Sequence, residues 1–136
     1  MSIGNTTEND IVEYIFKATA FSWNGNSNLY VSLHTADPGE GGSQTTSECA
    51  YGSYARVTVS RSGTGWTVTG NQAVNAALVQ FPQASSGSET ATYVAIGTAS
   101  SGTGQIIASG ALSASLAISS GIQPQFSAGA LTFTLD

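Results

Sequence analysis

The amino-acid sequence predicts a mainly β fold, an antiparallel β-sandwich of jelly-roll-like type with about eight strands and one N-terminal α-helix. Apolar and polar residues alternate with a period of two through most of the chain from Leu29 onward, the pattern of half-buried strands. Ser-Gly, Gly-Thr-Gly and Ser-Ser-Gly turn signals separate the alternating runs, at roughly the 8–12-residue spacing of sandwiches and barrels. Helical periodicity is confined to the start of the chain, so helices and strands do not alternate as a parallel α/β sheet requires.

The helix is expected over residues 6–20. Asn5 is placed to cap it, and Glu8 to reach back as a capping-box carboxylate. Glu8, Asp10 and Glu13 set negative charge near the positive end of the helix dipole, and Ile11, Val12, Ile15 and Phe16 recur at the spacing of one apolar stripe. Residues 22–28, rich in Asn, Ser and Gly, end the helix with turn formers. The first strand is 29–34, with Leu29, Val31 and Leu33 on one face. A Gly-rich, acidic loop follows over 37–53. Further strands are expected at 55–60, 66–69, 74–81, 92–97, 105–111, 112–119 and 130–135, with a turn at Gly110-Ala111-Leu112. No repeat or linker divides the chain, so residues 1–136 are expected to form a single domain, 1–28 the helix and its connection and 29–136 the sandwich.

Charged side chains make up 8% of the chain, against roughly 25% in ordinary soluble domains. Nine of the eleven precede Ser62, leaving only Glu89 and Asp136 in the strand-rich remainder. Such a stretch has little with which to do acid–base or phosphate chemistry. Sparse charge also leaves a monomer short of the surface that keeps proteins dispersed, which points to a surface covered by self-assembly or by a larger particle. Net charge is −5, with Lys17, Arg56 and Arg61 the only cations. That argues against nucleic acid, whose phosphates need clustered Lys and Arg. No apolar run nears the roughly 18 residues of a membrane span, and Met1-Ser2-Ile3-Gly4-Asn5 lacks the basic and apolar regions of a signal peptide. The chain is therefore expected to avoid membranes and to be made in the cytoplasm.

Residues with chemical potential are few. Cys49 is the one cysteine, so it forms no intrachain disulfide and no cysteine metal site. His34 lacks an evident nucleophile and orienting carboxylate, and reads as a satisfied strand-end or interface histidine rather than a base. Asp37, Glu40 and Glu48 do not follow the spacing of a calcium loop, and Gly39-Glu40-Gly41-Gly42 and Gly63-Thr64-Gly65 lack the ending of a phosphate loop. No metal and no cofactor is expected. Tyr51, Tyr54 and Arg56 are different, because Tyr and Arg bury area at interface centres while keeping polar handles. With Trp23 they are the candidate interaction residues. The alternative for the Tyr-Arg group is a packed set in which Arg56 pairs an acid, and Trp66 shares the core-or-interface ambiguity of Trp23.

Several segments together resemble a known group of proteins. They are Asn5-Thr6-Thr7-Glu8-Asn9-Asp10, Leu29-Tyr30-Val31-Ser32-Leu33-His34-Thr35-Ala36-Asp37-Pro38-Gly39, Gly52-Ser53-Tyr54-Ala55-Arg56-Val57, residues 75–82, Gly110-Ala111-Leu112 and the ending Phe126-Ser127-Ala128-Gly129-Ala130-Leu131-Thr132-Phe133-Thr134-Leu135-Asp136. In this order they resemble a family of small structural proteins of tailed bacteriophages, variously labelled tail-fibre-like or capsid decoration (cement) proteins. An aromatic and an Asp often follow the Val-Ala-Ile-Gly strand in that family, where this chain has Thr98-Ala99-Ser100. The resemblance implies a non-enzymatic virion component with a β-sandwich body.

The preferred expectation is a capsid decoration protein, trimeric, that clamps neighbouring major capsid subunits from outside. In that reading the segment through Ala20 and the loop at 37–53 are the docking elements. The alternative is a tail-fibre or tail-tip component involved in host attachment, with tail proteins as partners. A sugar hydrolase would need two carboxylates held roughly 5–10 Å apart, and the strand-rich half offers only Glu89 before the terminus.

Overall fold

A computed structural model describes residues 1–136. Its elements, in chain order, are β1 (Ser2–Ile3), α1 (Asn5–Lys17), β2 (Asn28–His34), β3 (Val57–Ser60), β4 (Trp66–Thr69), β5 (Gln72–Asn75), β6 (Val79–Gln80), β7 (Ser88–Gly97), β8 (Ile106–Ser119), β9 (Gln125–Phe126) and β10 (Thr132–Thr134). The fold is mainly β with one helix and antiparallel pairing throughout, and it has ten strands where about eight were expected. They form a five-stranded sheet of order β1-β8-β7-β2-β3, a three-stranded sheet of order β10-β5-β4, and the pair β6-β9.

The alternation in β2 explains the layering. Val31 and Leu33 point to one side of the large sheet, where Val59, Val94 and Ile118 join them against Val79, Phe81, Ala84 and Leu131 from the second layer. Phe81 is fully buried and stands between the rings of Tyr54 and Phe126, at centroid distances of 6.2 and 6.3 Å. On the other side of β2 lie Ser32 and His34, also fully buried, because the loop after β2 folds back over them. Backbone bonds from Thr35 to Ser47 and from Cys49 to Leu33 lay that loop along the end of β2. The acidic loop is thus a lining of the sheet, not a free excursion.

The helix departs from expectation at both ends. Gly4 is the N-cap and no side chain caps it; the Asn5 amide instead donates to the Glu40 carbonyl and the Glu8 amide to the Gly4 carbonyl. Anchoring comes from across the chain, where the Thr7 hydroxyl donates to the Ile106 carbonyl. At the C-terminus Ala18 adopts a left-handed conformation with φ 55°. The Ala18 amide reaches the Tyr14 carbonyl and the Thr19 amide the Glu13 carbonyl, which closes the helix in a Schellman arrangement three residues before Ala20.

Two strand boundaries also move. The run expected at 74–81 breaks between β5 and β6 because the fully buried Asn75 turns its side chain inward. Its amide donates to the carbonyls of Ala77 and Ser127, and its oxygen accepts from the Leu131 amide. The two strands expected at 105–111 and 112–119 are one long strand, β8. Ala91 pairs with Leu116 and Tyr93 with Ala111, so residues 112–115 of β8 lie opposite the single Thr92. The expected turn at Gly110-Ala111-Leu112 is therefore the start of a wide bulge, which bends the strand without ending its pairing. With Met1, Phe126 and Leu131, the bulge lines a cavity of about 570 Å³.

Candidate interaction surface

The structure brings Tyr51, Tyr54 and Arg56 together and turns them inward. The Arg56 guanidinium meets the Glu48 carboxylate in a bidentate pair, Nε to Oε1 at 2.7 Å and Nη2 to Oε2 at 2.8 Å. It also donates to the carbonyls of Ala99 at 2.9 Å and Gly102 at 2.7 Å. The Arg56 side chain is 3% exposed and that of Glu48 is 14% exposed. The Tyr54 hydroxyl donates to Glu48 Oε1 at 2.8 Å and accepts from the Leu33 amide at 3.1 Å. Burial, with the neighbouring Glu48 adding to it against the Leu33 hydrogen bond, pushes its phenol above the ordinary range. The Tyr51 hydroxyl donates to the Pro82 carbonyl at 2.7 Å, and burial raises it to about 12. Polar handles suited to a partner are thus engaged inside the chain, because Glu48 and the backbone of the 97–106 connection satisfy them.

Glu89, the lone carboxylate in the middle of the charge-poor half, is likewise structural. Its Oε1 accepts the amides of Ala50 and Tyr51, both at 2.7 Å. His34 Nδ1 lies 2.8 Å from the Thr46 carbonyl, to which it donates, and Nε2 lies 2.9 Å from the Ser32 hydroxyl. Desolvation lowers its pKa below the ordinary 6.5. Ser32 and His34 sit in nucleophile–base geometry, but both are fully buried and the group orienting the ring is a carbonyl. Cys49 is buried and raised to about 12, chiefly by burial and then by Glu89. Asp37 accepts from the Gly39 amide, Glu40 accepts from the Ser2 hydroxyl, and Glu48 is held by Arg56. The loop acids therefore do not converge, and nowhere do three or more His, Cys, Asp or Glu side chains gather in metal-binding array.

What the chain leaves outside is the apolar stripe of α1. Val12 is 55% exposed, Tyr14 56%, Ile15 64% and Phe16 79%, and Thr7 is the one buried helical residue. The sequence identified the stripe; nothing in its periodicity tells whether the chain itself covers it. From α1 an aromatic ladder continues across the surface. Tyr14 stacks on Phe21 at 5.5 Å, Phe21 on Trp23 at 4.9 Å, and the Arg61 guanidinium lies 5.0 Å from the Trp23 ring centroid. Trp23 is the one candidate interaction residue on this face. Beyond it an apolar groove of about 500 Å³ opens between the two layers, lined by Trp23, Leu29, Trp66, Val68, Ile96 and Phe133 among others. The indole N–H groups of Trp23 and Trp66 have no acceptor.

A family model described as Podophage GP4 fiber I protein gp80 matches residues 2–134. The chain belongs to this family. It is a phage virion structural protein, as the resemblance in its strands and its ending implied. A fibre family favours the tail-fibre alternative over capsid decoration. Comparison with curated proteins finds no match. No helix is long and apolar enough to cross a membrane.

Proposed function

We propose that the protein is a structural subunit of the phage fibre, acting without catalysis through contacts with its own copies and with other virion proteins. The observation that carries this reading is the match to a fibre family over residues 2–134. The scarcity of charge supports it, since a desolvated charge costs free energy unless paired, and a subunit that lives among others does better with neutral surface. The outward apolar stripe of α1 and the Trp23 ladder supply such surface. Tyr51, Tyr54 and Arg56 contribute by stiffening the frame that holds it.

Copy number and position in the particle test the reading. Quantitative mass spectrometry and imaging of whole virions are expected to place a few to some tens of copies at the tail. Hundreds of copies spread over the shell would return the decoration reading, with the major capsid protein as partner.

A further inference from the structure

We propose that the exposed apolar face of α1 docks into the groove beside Trp23 and Trp66 of a second copy of this chain. This deepens the fibre-subunit reading and rests on it. An amphipathic helix laid into an apolar groove is a recurring recognition mode, anchored by side chains one turn apart. Val12 and Phe16 have that spacing, with Ile15 beside them, and all three project away from their own chain.

Three observations select a second copy as the occupant. The first is continuity. The Tyr14–Phe21–Trp23 ladder joins helix and groove on one face, so the patch carries both the projecting and the receiving part. A two-fold contact uses each part twice, which is what a self-complementary surface means.

The second is charge. Of the three cations, Arg56 is taken by Glu48 and Lys17 by Glu13. Arg61, on the groove rim, donates only to the carbonyls of Asn24 and Asn26 and has no carboxylate. The helix brings Glu8, Asp10 and Glu13, and Glu8 has no cationic partner within the chain. Docking sets an acidic helix against the one cation left without an acid.

The third is area. The four exposed side chains of α1 present about 500 Å², given the size of aromatic and aliphatic side chains. A stable interface covers about 800 Å² on each partner. The helix alone falls short, and the groove mouth with Trp23, Arg61 and the exposed Val68 makes up the difference. Engaging both at once meets the requirement.

The test uses the full chain. Sedimentation velocity at micromolar concentration is expected to show an oligomer, and Phe16→Asp is expected to weaken association by roughly tenfold or more. Phe16 is exposed, so thermal melting of that variant stays at the wild-type temperature. A mixture of separately purified Phe16→Cys and Val68→Cys chains, treated with a short bismaleimide, is expected to give a cross-link between the two variants, while the buried Cys49 stays unmodified. A monomeric wild type, an oligomer indifferent to Phe16→Asp, or absence of the mixed cross-link would each overturn the proposal. Absence of the chain from purified virions overturns the fibre reading instead. A chain present in virions but monomeric in isolation, with α1 covered by a different protein, overturns only the self-docking.

Discussion

Arg56→Met removes the guanidinium that closes the buried clasp while keeping most of the apolar stem. Four hydrogen bonds disappear, two to Glu48 and one each to the carbonyls of Ala99 and Gly102. The larger effect is on what remains. The Glu48 carboxylate, 14% exposed, loses its counter-charge and keeps only the Tyr54 hydroxyl. Breaking a buried pair from one side costs about 3–5 kcal/mol, because a desolvated charge is left without compensation. At about 4 °C per kcal/mol for a chain of this size, the melting temperature should fall by about 12–20 °C. The exposed pair Lys17–Glu13, with side chains 65% and 32% exposed, is the control, and Lys17→Ala should cost only about 0.3–0.5 kcal/mol. The double variant Glu48→Gln/Arg56→Met removes both charges and should lose only about 1–2 kcal/mol for the two carbonyls left without donors. Urea unfolding followed by circular dichroism at neutral pH measures all three. A single variant costing less than about 1 kcal/mol, or a double variant as unstable as the single, would refute the reasoning.

Other expectations follow from burial. The folded pKa of His34 lies below its ordinary 6.5, so the unfolded chain takes up its proton first. Stability is complete above about pH 6.5 and declines as pH falls toward the folded value; melting scans from pH 8 to 5 should show the decline, and His34→Gln should flatten the part due to this residue. Gly104→Ala should cost about 1–3 kcal/mol in urea unfolding, because a methyl group there meets the Gln44 carboxamide and lies 2.8 Å from the Ala99 Cβ. Ala18→Gly should raise stability by about 1 kcal/mol, since glycine adopts the left-handed helix terminus without the steric cost that alanine bears. Cys49 should resist a thiol reagent in the native protein and react only on unfolding, given its burial and a pKa of about 12.

Much of the framework was legible from short-range pattern. The alternation at 29–34 and 66–69 marks β2 and β4, and 92–97 lies within β7, because strands half-buried against a core must alternate. Elements fixed by distant partners were not. β1 is two residues long and exists because β8 receives it. The bulge in β8 reads as a turn, since Gly110 carries the same local signal whether the chain reverses or only buckles. The helix terminus was misplaced because alanine gives no sign of a left-handed bend. The candidate site shows the same division. Tyr51, Tyr54 and Arg56 have the chemistry of an interface and of an interior clasp alike, and Glu48, eight residues before Arg56, decides between them by folding back. Trp23 lies on the outer face because the large sheet offers it only an edge.

The order of the large sheet has a temporal consequence. Ser2 and Ile3 pair with Ser109 and Ala108, and Gly4 and Thr7 hang on the carbonyls of Ile107 and Ile106. During translation these leading residues have no berth until a hundred further residues have left the ribosome. Such long-range closure is slow, and the greasy side of the first helix waits in the open meanwhile. Nascent copies crowded on one messenger can therefore meet through it before any of them is finished.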